Sequence, residues 1–141
     1  MLFLWIFGDN VEDRFGSLRY LAFYLLCGVA AAAGQGLIAS APMVGASGAV
    51  AGVLGAYLFL FPGARVRTLI FLGLFITIVQ LPAFVVIGLW VVLQVLSGLA
   101  ELQLSDSGAG ANVAYFAHVF GFIAGILLLA VLRPSRRVRV R

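Results

Sequence analysis

The chain has 141 residues, of which 64% are hydrophobic and 10% charged, and its mean hydropathy is +1.17. That much apolar surface exceeds what one soluble core of this length can hide, so an ordinary water-soluble domain is excluded and an all-α, polytopic membrane helical bundle is implied. Net charge is +4 and every basic residue is arginine; because the arginines stand at the ends of apolar segments, they read as membrane-orientation signals and not as a nucleic-acid surface.

Residues 1–8 (MLFLWIFG) are apolar and stop at Asp9. Eight helical residues rise only about 12 Å against a hydrocarbon core of about 30 Å, so the chain is expected to begin part-way along a membrane helix. A signal peptide is disfavoured, since neither a basic n-region nor a small-residue cleavage site precedes Asp9. Residues 9–17 (DNVEDRFGS) read as a polar loop carrying Arg14, with Arg19 just beyond. Residues 18–38 form a continuous apolar span with a slim face at Ala30 to Ala33, interrupted by Gln35. An amide inside lipid needs a partner. For Gln35 that partner is either a neighbouring helix or water in a cavity that it helps to line. Cys27, the single cysteine, falls in the same span and is expected to serve packing.

Residues 40–44 contain Pro42 and no charge, and read as a short turn on the far side. Residues 47–61 are helical in pattern and end at Pro62-Gly63 and the Arg65/Arg67 pair. This helix is about 22 Å long, about 8 Å short of the hydrocarbon core. With its C-terminal end at the arginines, Ser47 lies beneath the opposite surface. From Thr68 to Gly98 there is no charge, yet one straight helix of that length would measure about 46 Å. Pro82 divides the stretch. A span over 82–99 is expected, preceded around Leu69 to Val79 by an interfacial or re-entrant piece, either a small hairpin or a short helix. Residues 101–112 are polar and acidic, 113–132 form the last span, and 134–141 are a basic tail following a transmembrane domain over 1–133. If the spans alternate, all arginine-bearing ends fall on one side. By the positive-inside rule that side is cytoplasmic, giving a multi-pass cell-membrane protein with one partial and four complete crossings and a cytoplasmic C-terminal tail.

Topology also relates two residues far apart in the chain. The helices carrying Ser47 and His118 both start on the outer side and run inward. His118 is five residues into its span, about 7.5 Å deep, and Ser47 is placed at about 8 Å by the shortness of its own helix. The two are therefore expected to lie level. Gly48, Gly52, Gly55 and Ala56 on one helix, and Ala117, Gly121 and Gly125 on the other, recur at three- and four-residue spacing. Such small-residue faces let helix backbones touch in lipid. Packing explains the glycines but does not call for a histidine beside the seam, and an ionisable residue inside a bilayer is expensive enough to suggest function. A neutral imidazole at His118 can act as general base toward Ser47 as nucleophile. Gly45 and Gly48 would let backbone approach a substrate, with the Ser47 N–H facing a developing oxyanion. No carboxylate lies at this depth, so the pair would act as a dyad. One histidine and one cysteine on separate spans offer too few ligands for a metal, and no cofactor is implied. An α/β-hydrolase is excluded, because Ala49 stands where G-x-S-x-G requires glycine.

GASGA (Gly45 to Ala49) at the head of a small-residue helix, AHVFGFIAG (Ala117 to Gly125) on the last one and VEDRFG (Val11 to Gly16) together resemble the rhomboid intramembrane serine proteases. The resemblance covers the whole chain. It implies Ser47 as nucleophile and His118 as base, a wet site opening outward, and transmembrane protein substrates cut near helix-breaking residues. It also implies a lateral gate at 82–99 and a cap contributed by 101–112. Three departures stand out. The family's first core helix is absent, and its His-x-x-x-Asn pair, which assists the oxyanion site, would fall just before Met1. An aromatic residue that some members carry one turn after the serine is Ala51 here. Missing oxyanion donors cost about 10²- to 10³-fold each, so impaired activity is expected of this chain. A non-catalytic rhomboid-like protein that binds transmembrane helices is the alternative, although it would require neither the serine nor the histidine.

Overall fold

A computed structural model describes residues 2–38, 45–72, 75–105 and 114–132. A π-helical segment, Leu4–Gly8, runs directly into α1 (Asp9–Phe15), and α2 (Ser17–Ile38), α3 (Ser47–Leu60), β1 (Arg65–Leu72), β2 (Phe75–Pro82), α4 (Ala83–Ser105) and α5 (Tyr115–Leu132) follow. Among the described residues three helices are long and apolar enough to cross a membrane: Ser17–Ile38, Ala83–Gln103 and Tyr115–Leu132. The shorter apolar helix α3 runs between them. The result is a polytopic helical bundle.

Helix α3 occupies the centre, and its small residues explain why. Ala49, Ala51, Gly52, Val53, Leu54, Gly55 and Ala56 are all buried, and so slim a helix lets neighbours approach on several sides. A Cβ added at Gly121 would strike the Gly48 carbonyl oxygen, and one at Gly125 would strike that of Gly52. These contacts form the α3/α5 seam expected from the glycine spacing. At Gly55 the obstacle would be the Phe122 carbonyl. On the α2 side, a Cβ at Gly52 would meet Cys27, whose fully buried thiol is thus a packing group.

Three expectations need correction or completion. Residues 9–15 are helical and do not form a loop. Their polar residues mask an apolar stripe at four-residue spacing, in which Phe7 is 1%, Val11 0% and Phe15 4% exposed. Asp9 and Glu12 in the first turn and Arg14 in the last also complement the helix dipole. The helix stops at Gly16, whose φ of 79° and ψ of 150° suit glycine and whose N–H reaches the Glu12 carbonyl at 2.7 Å. Helix α4 extends past Leu99 to Ser105, so Glu101, expected in a polar loop, lies on its last turns; residues 106–112 fall outside the described residues, as does the 134–141 tail. Finally, the piece before Pro82 is a hairpin, with β1 antiparallel to β2 and Leu69 opposite Ile78. Its β-branched and aromatic content favours strand over helix. The Ala83 N–H donates to the Ala64 carbonyl at 2.9 Å, closing the hairpin base where α4 begins.

Candidate functional site

The site is built where α3 starts. Gly45 has φ of 121°, a backbone conformation open to glycine but strained for other residues, and it turns the chain into Ala46, the N-cap of α3. Ala46 offers no side-chain acceptor. The first-turn N–H groups of α3, beginning with that of Ser47, thus receive no side-chain cap from this position. The Ser47 side chain is exposed at this end.

The α3/α5 seam brings His118 to it. Residues 71 apart in sequence meet with the His118 Nε2 atom 2.8 Å from Ser47 Oγ. The other ring nitrogen, Nδ1, lies 2.6 Å from Gln94 Oε1 on α4. An amide oxygen can only accept, so this contact is a hydrogen bond in the tautomer that carries the ring proton on Nδ1. In that tautomer Nε2 has a free lone pair to accept the Ser47 hydroxyl proton. Trp90, one turn before Gln94, sets its ring 5.8 Å from the imidazole at an interplanar angle of 37°. Position 51 remains alanine and is buried; the aromatic neighbour of the histidine comes from α4 instead.

A cavity of about 450 Å³ opens onto the pair, lined by Phe3, Gly45, Ala46, Ser47, Val50, Leu54, Trp90 and His118. Gly45 therefore borders the space a substrate would occupy. Gly48 does not line it: a Cβ there would meet Ala31 and, at 3.2 Å, the Ala117 carbonyl oxygen, which places Gly48 in the seam with Gly52, Gly55, Gly121 and Gly125. Gln35 is likewise not a lining residue of this cavity. It is 5% exposed, and its Oε1 accepts the Ala117 N–H at 2.9 Å. That donor belongs to the first turn of α5 and is shared with the Ala114 carbonyl at 3.1 Å, so Gln35 supplies a helix-start N–H with a second, shorter acceptor. Of the two environments expected for Gln35, this is the interhelical hydrogen bond, and it anchors the residue next to His118.

Sequence reasoning missed Gln94 and Trp90. Gln94 is the only amide between Ala83 and Ala100, and the rule that flagged Gln35, an amide alone in an apolar span, applies equally to it.

Against known families, residues 1–135 match the Rhomboid domain. The chain belongs to the rhomboid family. Among curated proteins, this rhomboid chain is 29% identical over 131 residues to "Rhomboid protease GluP" of Bacillus subtilis, covering 93% of this chain and 22% of that protein. It is 28% identical over 137 residues to "Rhomboid protein 1, mitochondrial" of Saccharomyces cerevisiae, covering 90% of this chain and 35% of that protein. The chain thus spans about a fifth to a third of the length of these relatives. No solved structure gives a significant match. Family membership and the three long apolar helices together indicate a multi-pass membrane protein.

Proposed function

We propose that this rhomboid chain is an intramembrane serine endopeptidase working through a Ser47/His118 dyad. The observation that carries the reading is the 2.8 Å approach of His118 Nε2 to Ser47 Oγ at the edge of an open cavity. In the first half-reaction the Ser47 hydroxyl proton passes to Nε2 as Oγ bonds to the substrate carbonyl carbon. The resulting oxyanion faces the Ser47 backbone N–H at the start of α3. Collapse breaks the C–N bond, and the proton on Nε2 goes to the leaving amine. Water then attacks the acyl-serine ester, giving its proton to Nε2 in turn, and the carboxylic product leaves with Ser47 regenerated. The cavity is bordered by Phe3, Leu54 and Trp90, which suits an extended segment of a transmembrane protein substrate with apolar side chains. The protein resides in the cell membrane with its arginine-bearing ends cytoplasmic. An additional oxyanion donor would raise the rate of this chemistry by about 10²- to 10³-fold.

Labelling with a fluorophosphonate probe in proteoliposomes tests this reading. The folded chain should label at Ser47, Ser47→Ala should abolish the adduct, and His118→Ala should slow labelling by at least about 10²-fold. Absence of any adduct on folded protein, or an adduct that persists in Ser47→Ala, would refute it.

A further inference from the structure

Rhomboid chemistry as proposed above uses two side chains, but three are joined here by hydrogen bonds. Gln94 stands on the α4 face that meets α5. Ile87, Trp90, Gln94 and Gly98 recur along this face at three- and four-residue spacing. Ile87 is 1% exposed, Trp90 lies against the imidazole, and a Cβ at Gly98 would come within 3.1 Å of the Phe116 ring. This packing holds the Gln94 amide at a fixed height on the His118 ring.

We infer that Gln94 is a positioning residue whose Oε1 holds His118 in the Nδ1–H tautomer, leaving Nε2 as the base toward Ser47; the inference rests on the proposed Ser47/His118 chemistry. Two physical arguments add to the 2.6 Å contact. An amide in an apolar span is retained at a cost unless its polar atoms are used, and here the oxygen is spent on the ring. The tautomer is also a real choice: a free imidazole favours the Nε2–H form, in which Nε2 would donate to Ser47 Oγ and have no lone pair for its proton. An acceptor at Nδ1 reverses that preference. A carboxylate in the same place would do so while also stabilising the imidazolium. The amide orients without adding charge, at a smaller desolvation cost within lipid.

The chain has a single histidine, so one ¹⁵N-histidine-labelled sample reports this ring alone. In the folded wild-type chain in detergent micelles, above the imidazole titration, the Nδ1 shift should be that of a protonated nitrogen and the Nε2 shift that of an unprotonated one. Gln94→Leu should move the ring toward the Nε2–H form and Gln94→Glu should restore Nδ1–H. Position 94 is only partly buried on α4, where leucine is at least as compatible with lipid as glutamine, so folding should survive; Gln94→Met, which nearly keeps the shape, serves as a second test of the same point. In cleavage assays Gln94→Leu should lower kcat with KM little changed, by up to the ~10⁴-fold that follows when an orienting group is exchanged and the wrong tautomer results, and Gln94→Glu should recover most of it. A wild-type spectrum showing Nε2–H, or Gln94→Leu and Gln94→Met spectra identical to wild type, overturns the inference even if Ser47 labels normally. A Gln94-dependent Nδ1–H tautomer with no adduct at Ser47 would uphold the positioning role and instead defeat the proteolytic reading.

Discussion

Substituting Gly121 by alanine tests whether the helix seam sets the geometry of the site. The added Cβ would land on the carbonyl oxygen of Gly48, the residue following Ser47, while Gly121 itself lies one turn beyond His118 on α5. The obstacle is backbone, so no side chain can rotate away. The helices must part by more than about 1 Å to reach the ~3.5 Å separation at which non-bonded atoms attract. Overpacking of this kind costs about 1–3 kcal/mol, offset by about 1 kcal/mol because alanine is the better helix former. Gly36→Ala supplies the reference, since a Cβ there meets nothing within 4 Å; it keeps the propensity gain without the clash. The Gly121 variant should therefore be about 1–3 kcal/mol less stable than the Gly36 variant in thermal unfolding in detergent. Function should suffer more than stability. A displacement near 1 Å between nucleophile and base costs on the order of 10²-fold in rate, so fluorophosphonate labelling of Ser47 should slow by about that factor at temperatures where the variant remains folded. Equal melting temperatures and equal labelling rates for the two variants would show that the α3/α5 seam does not govern the Ser47/His118 distance.

Removing the Gln35 amide as Gln35→Leu leaves the buried Ala117 N–H with only its local hydrogen bond to the Ala114 carbonyl at 3.1 Å; unfolding measurements should show a loss of about 0.5–1.5 kcal/mol, and an unchanged melting curve would count against the anchoring role. Gly45→Ala forces a side chain onto a φ of 121° two residues before Ser47. It should cost about 1–3 kcal/mol and reduce labelling of Ser47, whereas wild-type behaviour in both would mean that the turn relaxes freely. Gly16→Ala carries the same class of backbone penalty at φ 79°, but on the α1 side of the bundle. It should lower stability by about 1–3 kcal/mol while sparing the labelling rate, and selective loss of labelling would contradict this division between fold and site.

The sequence made the helices easy to find and their rotations hard to read. In a bilayer both the lipid-facing and the protein-facing sides of a helix are apolar, so periodicity carries little information about which side is inward. Hence the bounds of α2, α3 and α5 agree with the apolar runs within one or two residues, while the sequence around Gln35 is compatible with two environments. Glycine spacing is the exception, because close backbone approach tolerates no Cβ, and it located the α3/α5 seam. Misreading of α1 had a different cause. The charged residues of DNVEDRF concealed the stripe formed by Phe7, Val11 and Phe15, which crosses from the π-helical segment into the α-helix.

By itself the sequence determined the class of the protein and the succession of apolar helices, since both depend on hydropathy and on rise per residue, and it pointed to Ser47 and His118 as a pair. Only the tertiary structure decided what surrounds that pair. The acceptor on His118 Nδ1, the indole beside the ring and the amide holding the first turn of α5 come from Gln94, Trp90 and Gln35 on two other helices. Their proximity to the site depends on how α2 and α4 are rotated about their own axes, which is set by packing against neighbours and which apolar periodicity does not single out in a helix that is apolar all round.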